Sequence, residues 1–184
     1  MSFRFGKTPG KLPGFQRPNS YILPKTGLYY TKRMSTKLTK NQMAYFATEC
    51  ASFNFRKAAR AVTQLFDQAL QPSGLRSTQL GILLAAGIYE KATMSQLAEI
   101  IVADRTTLTR ALKPLFRRGL LENIPGLDKR KNSISLTLKG HQAVRKAAPY
   151  WKTAQDQVLK GFGKKQWVEF RVKLALAIQV VKKP

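Results

Sequence analysis

The chain reads as mainly α with a small β-wing: a winged helix-turn-helix flanked by long N- and C-terminal helices. Three observations predict this. Two short amphipathic segments separated by a tight turn lie between Thr93 and Gly119. An alternating stretch, Ser133 to Leu138, follows Leu120–Ile124 across a Pro-Gly turn. Apolar residues at three-and-four spacing fill residues 42–70 and 141–182 on either side.

Residues 1–41 come first and form a basic arm. Residues 1–48 hold nine Lys or Arg and no acidic residue, and Gly, Pro, Ser and Thr interrupt any helical or strand period. The arm has no apolar core of the kind a secretory signal carries, and its Pro and Gly content disfavours an amphipathic transit helix. Met34 is an alternative start, and an arm that tracks phosphates is an alternative to a disordered one.

A winged-helix domain is expected over residues 42–184. A helix is expected from Gln42 to Leu70, with Tyr45, Phe46, Phe53, Phe55, Val62, Leu65 and Phe66 among its apolar positions; Pro72 and Gly74 stop it. Ser77 is the expected cap of the next helix, TQLGILLAAGIYEK, which is apolar nearly all round and therefore belongs inside. It opens the central unit, residues 77–139. Ser95 is the expected cap of QLAEII, with Leu97, Ala98 and Ile101 on one face. The chain turns through Val102 and Ala103, and Asp104 caps a second helix from Arg105 to Arg118. Leu108, Leu112, Leu115 and Phe116 make its apolar stripe, and Gly119 ends it in a left-handed conformation. After the hairpin, a helix from His141 to Lys160 contains Pro149, where a kink or break is expected. Gly161 and Gly163 end it. A last helix, Lys164 to Val181, places Trp167, Phe170, Leu174, Ile178 and Val181 on one side.

Composition narrows the function. An apolar fraction of 43% supports a core, and one Cys allows no internal disulfide. No apolar run reaches the roughly 18 residues that span a bilayer. The formal charge is +24 over 184 residues, with a pI near 10.7, which points to nucleic acid. One His offers no His-based metal site. There is no Ser-His-Asp set, no phosphate-cradling Gly loop and no carboxylate dyad, so neither enzyme nor cofactor is expected.

The chemistry concentrates in the second helix of the central unit and in the wing. Arg105, Thr106, Thr109, Arg110 and Lys113 share the face opposite the apolar stripe. Hydroxyls and guanidinium groups near a helix start read base edges and clamp phosphates. The wing loop, Pro125 to Asn132, carries Lys129, Arg130 and Lys131 in a row, suited to the negative potential of a narrow minor groove.

These residues resemble the MarR family of winged-helix transcriptional regulators, over Phe53 to Trp167. FNFRKAARAVTQLFDQAL is similar to the family's first dimerisation helix, LAEIIVADRTTLTRALKPLFRRGLL to its helix-turn-helix, and DKRKNSISLTLKG to its wing. The resemblance implies a cytoplasmic homodimer, joined through helices 42–70 and 141–182, on a pseudo-palindromic site in double-stranded DNA. It implies a repressor released by a small aromatic or phenolic effector. Arg105, Thr106, Thr107, Thr109, Arg110 and Lys113 are implied at the major groove. Arg130 is implied in the minor groove, with Asp128 holding the wing. The family's second wing Arg is Asn132 here, for which Lys129 and Lys131 compensate. Phe53, Phe66 and Tyr89 are aromatic candidates for an effector cleft, against ordinary core roles. Some relatives sense hydroperoxides through a Cys near the start of the first helix. Cys50 lies about two residues before that position, which is Ser52, so a redox-sensing regulator is one alternative. A low-specificity, nucleoid-associated DNA-binding protein is the other.

Overall fold

The computed structural model describes residues 37–125 and 132–182. The chain falls into two compact units, Met1–Lys57 and Ala58–Pro184, with the boundary inside one helix.

In the first unit, α1 (Lys40–Glu49) opens on a reciprocal capping box. The Thr39 backbone N–H donates to Gln42 Oε1 at 2.9 Å, and Thr39 Oγ1 accepts from the Gln42 backbone at 3.2 Å. The pattern from Gln42 to Leu70 predicts one helix, yet the chain forms two. It starts at Lys40 and breaks at Cys50, whose ψ of 109° is extended; α2 (Ala51–Leu70) follows. Asn54 spans the break, its Nδ2 donating to the carbonyls of Thr48 at 2.8 Å and Cys50 at 3.0 Å. No described residue of this unit is buried.

The second unit contains the core. A 3-10 turn, Gln71–Ser73, closes α2 and leads to α3 (Ser77–Tyr89). Ser77 is the first residue of α3 rather than its cap, which is Arg76. The Ser77 N–H and hydroxyl both donate to Asp67 Oδ1, each at 2.6 Å, so a carboxylate on α2 satisfies the new helix start. The helix expected to be enclosed on all sides is enclosed on one. Leu80, Ile82, Leu83, Ala85 and Ala86 are buried, while Ile88 is 72% exposed and Leu84 lies beside it in sequence register.

Next come α4 (Met94–Ile101) and α5 (Arg105–Arg117). Thr93 caps α4 in place of the expected Ser95, because Gln96 stands three residues on and completes a second capping box. The wing is an antiparallel pair, β1 (Leu121–Pro125) and β2 (Asn132–Leu136), with Leu121 opposite Leu136 and Asn123 opposite Ile134. Ala92 adds a short third rung, exchanging backbone bonds of 3.0 and 2.8 Å with Ile134.

β2 stops at Leu136, so Leu138 belongs to the following helix, α6 (Leu138–Phe162), capped by Thr137. Pro149 does not break it. Pro149 faces outward while Ala147 and Ala154 are buried on the inner side, so solvent replaces the missing backbone bond. Gly161 stays helical, and Gly163, at φ 83°, ends the helix. α7 (Lys164–Lys182) then folds back through a cluster of Phe162, Trp167 and Phe170, with ring centroids 5.2–6.2 Å apart.

Leu70, Leu83, Leu97, Leu108, Leu112 and Leu115 are the large side chains fully enclosed, so α2, α3, α4 and α5 share one core. Each contributes about 1.5–3 kcal/mol by leaving water. Three of the six come from α5, which fixes the rotation of that helix about its own axis.

Candidate nucleic-acid interface

The turn before α5 is built from Val102, Ala103 and Asp104. Val102 takes a left-handed conformation, φ 56° and ψ 49°, and its N–H donates to Glu99 O at 3.2 Å; the Ala103 N–H reaches Ala98 O at 3.0 Å. Orphan carbonyls at the end of α4 are thereby satisfied in a single turn. Asp104 then caps α5. Its Oδ1 accepts the Thr107 N–H at 2.8 Å and its Oδ2 accepts the Thr107 hydroxyl at 2.6 Å. The Thr107 hydroxyl, then its backbone N–H, hold the Asp104 carboxyl below its ordinary pKa, since both bonds favour the charged form.

With Leu108, Leu112 and Leu115 buried, the opposite face of α5 is open. Arg105, Thr106, Thr109, Arg110 and Lys113 are all exposed and line one open depression of about 390 Å³. The Thr109 hydroxyl donates to Arg105 O at 2.7 Å, which leaves its oxygen facing out as an acceptor. Among the described residues, Arg105, Arg110 and Lys113 have no carboxylate partner, so three cations stand together without neutralisation. Thr107 differs from the rest of the expected set: its hydroxyl proton is committed to Asp104.

The far end of α5 is held as firmly. Arg118 Nη1 donates to Gly74 O at 3.0 Å, across 44 residues of sequence. Gly119 takes the expected left-handed conformation at φ 65°. The Thr137 hydroxyl donates to Gly119 O at 2.7 Å and accepts the Gly140 N–H at 3.0 Å, so one side chain links the end of α5 to the start of α6. Sequence spacing gave no hint of Arg118 or Thr137, because both act across long separations.

Asp128, Lys129, Arg130 and Lys131 lie outside the described residues; β1 and β2 bring the chain to both sides of that loop, with Pro125 paired to Asn132. Phe66 is half-buried against the core, while Phe53 and Tyr89 are exposed. None of the three lines the depression on α5 or a second one beside Asp67 and Arg76. Cys50 is exposed at the α1–α2 break, its Sγ accepting the Phe53 N–H at 3.4 Å. No group of metal-binding side chains occurs among the described residues, and none of their helices is long and apolar enough to cross a membrane.

A helix-turn-helix with a two-stranded wing and an unneutralised cationic helix face defines a winged-helix protein. No family model matches the chain. It is similar to the transcriptional regulator MosR of M. tuberculosis: 38% identity, a TM-score of 0.65, and coverage of 74% of this chain and 98% of MosR. MosR in complex with DNA gives the same identity and a TM-score of 0.64, covering 73% of this chain and all of that one. The curated HTH-type regulator SarZ of Staphylococcus saprophyticus is 30% identical over 89 residues, 48% of this chain and only 61% of SarZ. MarR of E. coli shares the fold at 19% identity and a TM-score of 0.57. The chain belongs to the MarR family of winged-helix transcriptional regulators, a non-enzymatic class.

Proposed function

We propose that the protein is a homodimeric, sequence-specific regulator that represses transcription and is released from double-stranded DNA by a small aromatic or phenolic effector. One observation carries the DNA part: Arg105, Thr106, Thr109, Arg110 and Lys113 converge on the single open face of a helix whose other face is locked in the core. An α-helix fits the major groove, where bidentate Arg reads guanine and hydroxyls serve either base type. Arg130 enters the minor groove beside it, flanked by Lys129 and Lys131, with Asp128 bracing the loop. Thr107 acts through the cap of α5 rather than on a base. A two-fold dimer presents two such helices to two half-sites. Phe53, Phe66 and Tyr89 are the aromatic side chains proposed for the effector, stacking on its ring.

The alternative is a low-specificity DNA coater, favoured by the charge of +24. A gel-shift on the protein's own upstream region, with excess random duplex as competitor, separates the two. A regulator keeps a discrete shifted band and a footprint with two-fold symmetry. Loss of the band in proportion to bulk DNA added eliminates site-specific regulation.

A further inference from the structure

Thr106, Thr107 and Thr109 all lie near the start of α5, but their hydroxyl protons are not equally available. The Thr107 hydroxyl donates to Asp104 Oδ2 at 2.6 Å and belongs to the cap. The Thr109 hydroxyl donates to Arg105 O at 2.7 Å. The Thr106 hydroxyl has no partner among the described residues. Thr106 and Thr109 are both exposed, and both line the depression they share with Arg105, Arg110 and Lys113. A hydroxyl holds one proton and two lone pairs. Thr106 can therefore donate or accept, whereas Thr109 presents lone pairs only. Arg and Lys have donors and no acceptor, so of the five lining side chains only the two threonines can receive a hydrogen bond.

This difference sorts the groups a duplex offers. Phosphate oxygens are acceptors, so they suit Thr106 and the three cations but not Thr109. In the major groove guanine shows N7 and O6 and thymine shows O4, all acceptors, while adenine N6 and cytosine N4 are donors. We infer that Thr109 is a specificity-determining residue: it accepts a hydrogen bond from an exocyclic amino group, adenine N6 or cytosine N4, and so selects an amino-bearing base at one position of the half-site. The inference rests on the DNA-binding reading above and adds the chemistry of one base to it. A keto oxygen at that position forces the hydroxyl to swing away from Arg105 O before it can donate, and the helix loses that bond. A neutral intramolecular hydrogen bond is equivalent to about 2- to 12-fold in an equilibrium constant, which sets the size of the preference.

The test is a chemical double-mutant cycle on the full chain. A pool of randomised duplexes is enriched on the wild type. The selected site is then resynthesised with one amino group deleted at a time, purine replacing adenine and pyrimidin-2-one replacing cytosine. Affinity for each duplex is measured with wild type, Thr109→Val and Thr109→Ser. Val keeps the shape of Thr without its acceptor, and Ser keeps the hydroxyl without the methyl group. One deletion in the half-site is expected to weaken wild type and Thr109→Ser by about 2- to 12-fold and to leave Thr109→Val unaltered. The analogue that acts identifies the base as adenine or cytosine. Equal sensitivity of wild type and Thr109→Val at every amino group overturns the inference. So does a Thr109→Val variant that weakens all duplexes alike, since that marks a role in the helix or at a phosphate. A wild type that enriches no sequence removes the regulator reading and this inference with it, whereas an enriched site without the coupling removes this inference alone.

Discussion

The Asp104 carboxylate accepts both the backbone N–H and the hydroxyl of Thr107, at 2.8 and 2.6 Å. One side chain therefore fixes the first turn of α5, where Arg105 and Thr106 sit, and it does so with its charged form. Asp104→Ala is expected to lower the melting temperature and weaken DNA binding together, and Asp104→Asn to preserve most of both, because Asn also caps well. The pH sign follows from the depressed pKa. The cap's electrostatic contribution is complete above the ordinary value of 3.8 and fades as pH falls through and below it. Melting curves of wild type and Asp104→Asn should converge toward acid pH; a gap that widens below pH 4 would contradict the assignment.

Arg110 stands in the middle of the open face of α5, between Thr106 and Lys113. Arg110→Ala is expected to cost roughly 1–3 kcal/mol at one base pair per half-site and to relax discrimination there. Lys113→Ala is expected to weaken all sequences alike and flatten the salt slope by about 0.9. Binding to a panel of single-base operator variants measures both. Unaltered discrimination in Arg110→Ala means that this helix face does not read bases.

Much of the region around α5 is legible in sequence because its determinants are local. Asp104 precedes the helix, Leu108, Leu112 and Leu115 recur at helical spacing, and Gly119 follows it. Local signals also mislead where two residues compete for one role. Thr93 and Ser95 both suit a cap, and Gln96 decides between them. Ser77 suits a cap as well, yet a carboxylate ten residues earlier satisfies that helix start. The break at Cys50 escapes periodicity because one extended residue barely shifts the apolar phase. Arg118 to Gly74, Thr137 to Gly119 and the Ala92–Ile134 rung depend on packing, which no spacing rule encodes.

Val102 carries a β-branched side chain at φ 56° and is 52% exposed. Left-handed backbone costs a non-glycine residue about 1–2 kcal/mol, and glycine loses about 0.5–1 kcal/mol in unfolded-chain entropy, so Val102→Gly should be net stabilising by about 0.5–1 kcal/mol. Thermal unfolding should shift upward by about 2–4 °C per kcal/mol for a chain of this size. A lower melting temperature would show that the Val102 side chain contributes more by packing than its exposure suggests.

Gly140 sits at the α6 start with no room for a Cβ, which would overlap the Leu120 carbonyl and lie 2.6 Å from Leu136 Cδ2. Gly140→Ala must push α6 away from β2 and the end of α5, a cost of about 1–3 kcal/mol. Gly161 in the same helix has nothing within 4 Å of that position, so Gly161→Ala should stabilise by about 1 kcal/mol through helix propensity alone. Opposite shifts of the two variants in one denaturation series are the expected result.

α7 is apolar on two sides. Trp167, Phe170 and Leu174 are half-buried, as their spacing predicts, whereas Ile178 and Val181 of the same expected face are exposed, and Val168, Val172, Leu176 and Val180 recur every fourth residue on a flank that stays open. Val172 is 64% and Leu176 57% exposed, an unusual position for a row of aliphatic side chains in water. Burial against a second copy would give back about 1.5–3 kcal/mol per fully covered residue, counted once on each protomer. Val172→Asp with Leu176→Asp is therefore expected to turn a dimer into a folded monomer, read by sedimentation at micromolar concentration. Operator affinity should fall by several orders of magnitude, because two half-sites are no longer engaged by one particle. The helical circular dichroism of the variant should persist, since neither residue touches the core that holds α5. A wild-type chain that sediments as a monomer at every concentration would remove the dimer and, with it, the two-fold operator.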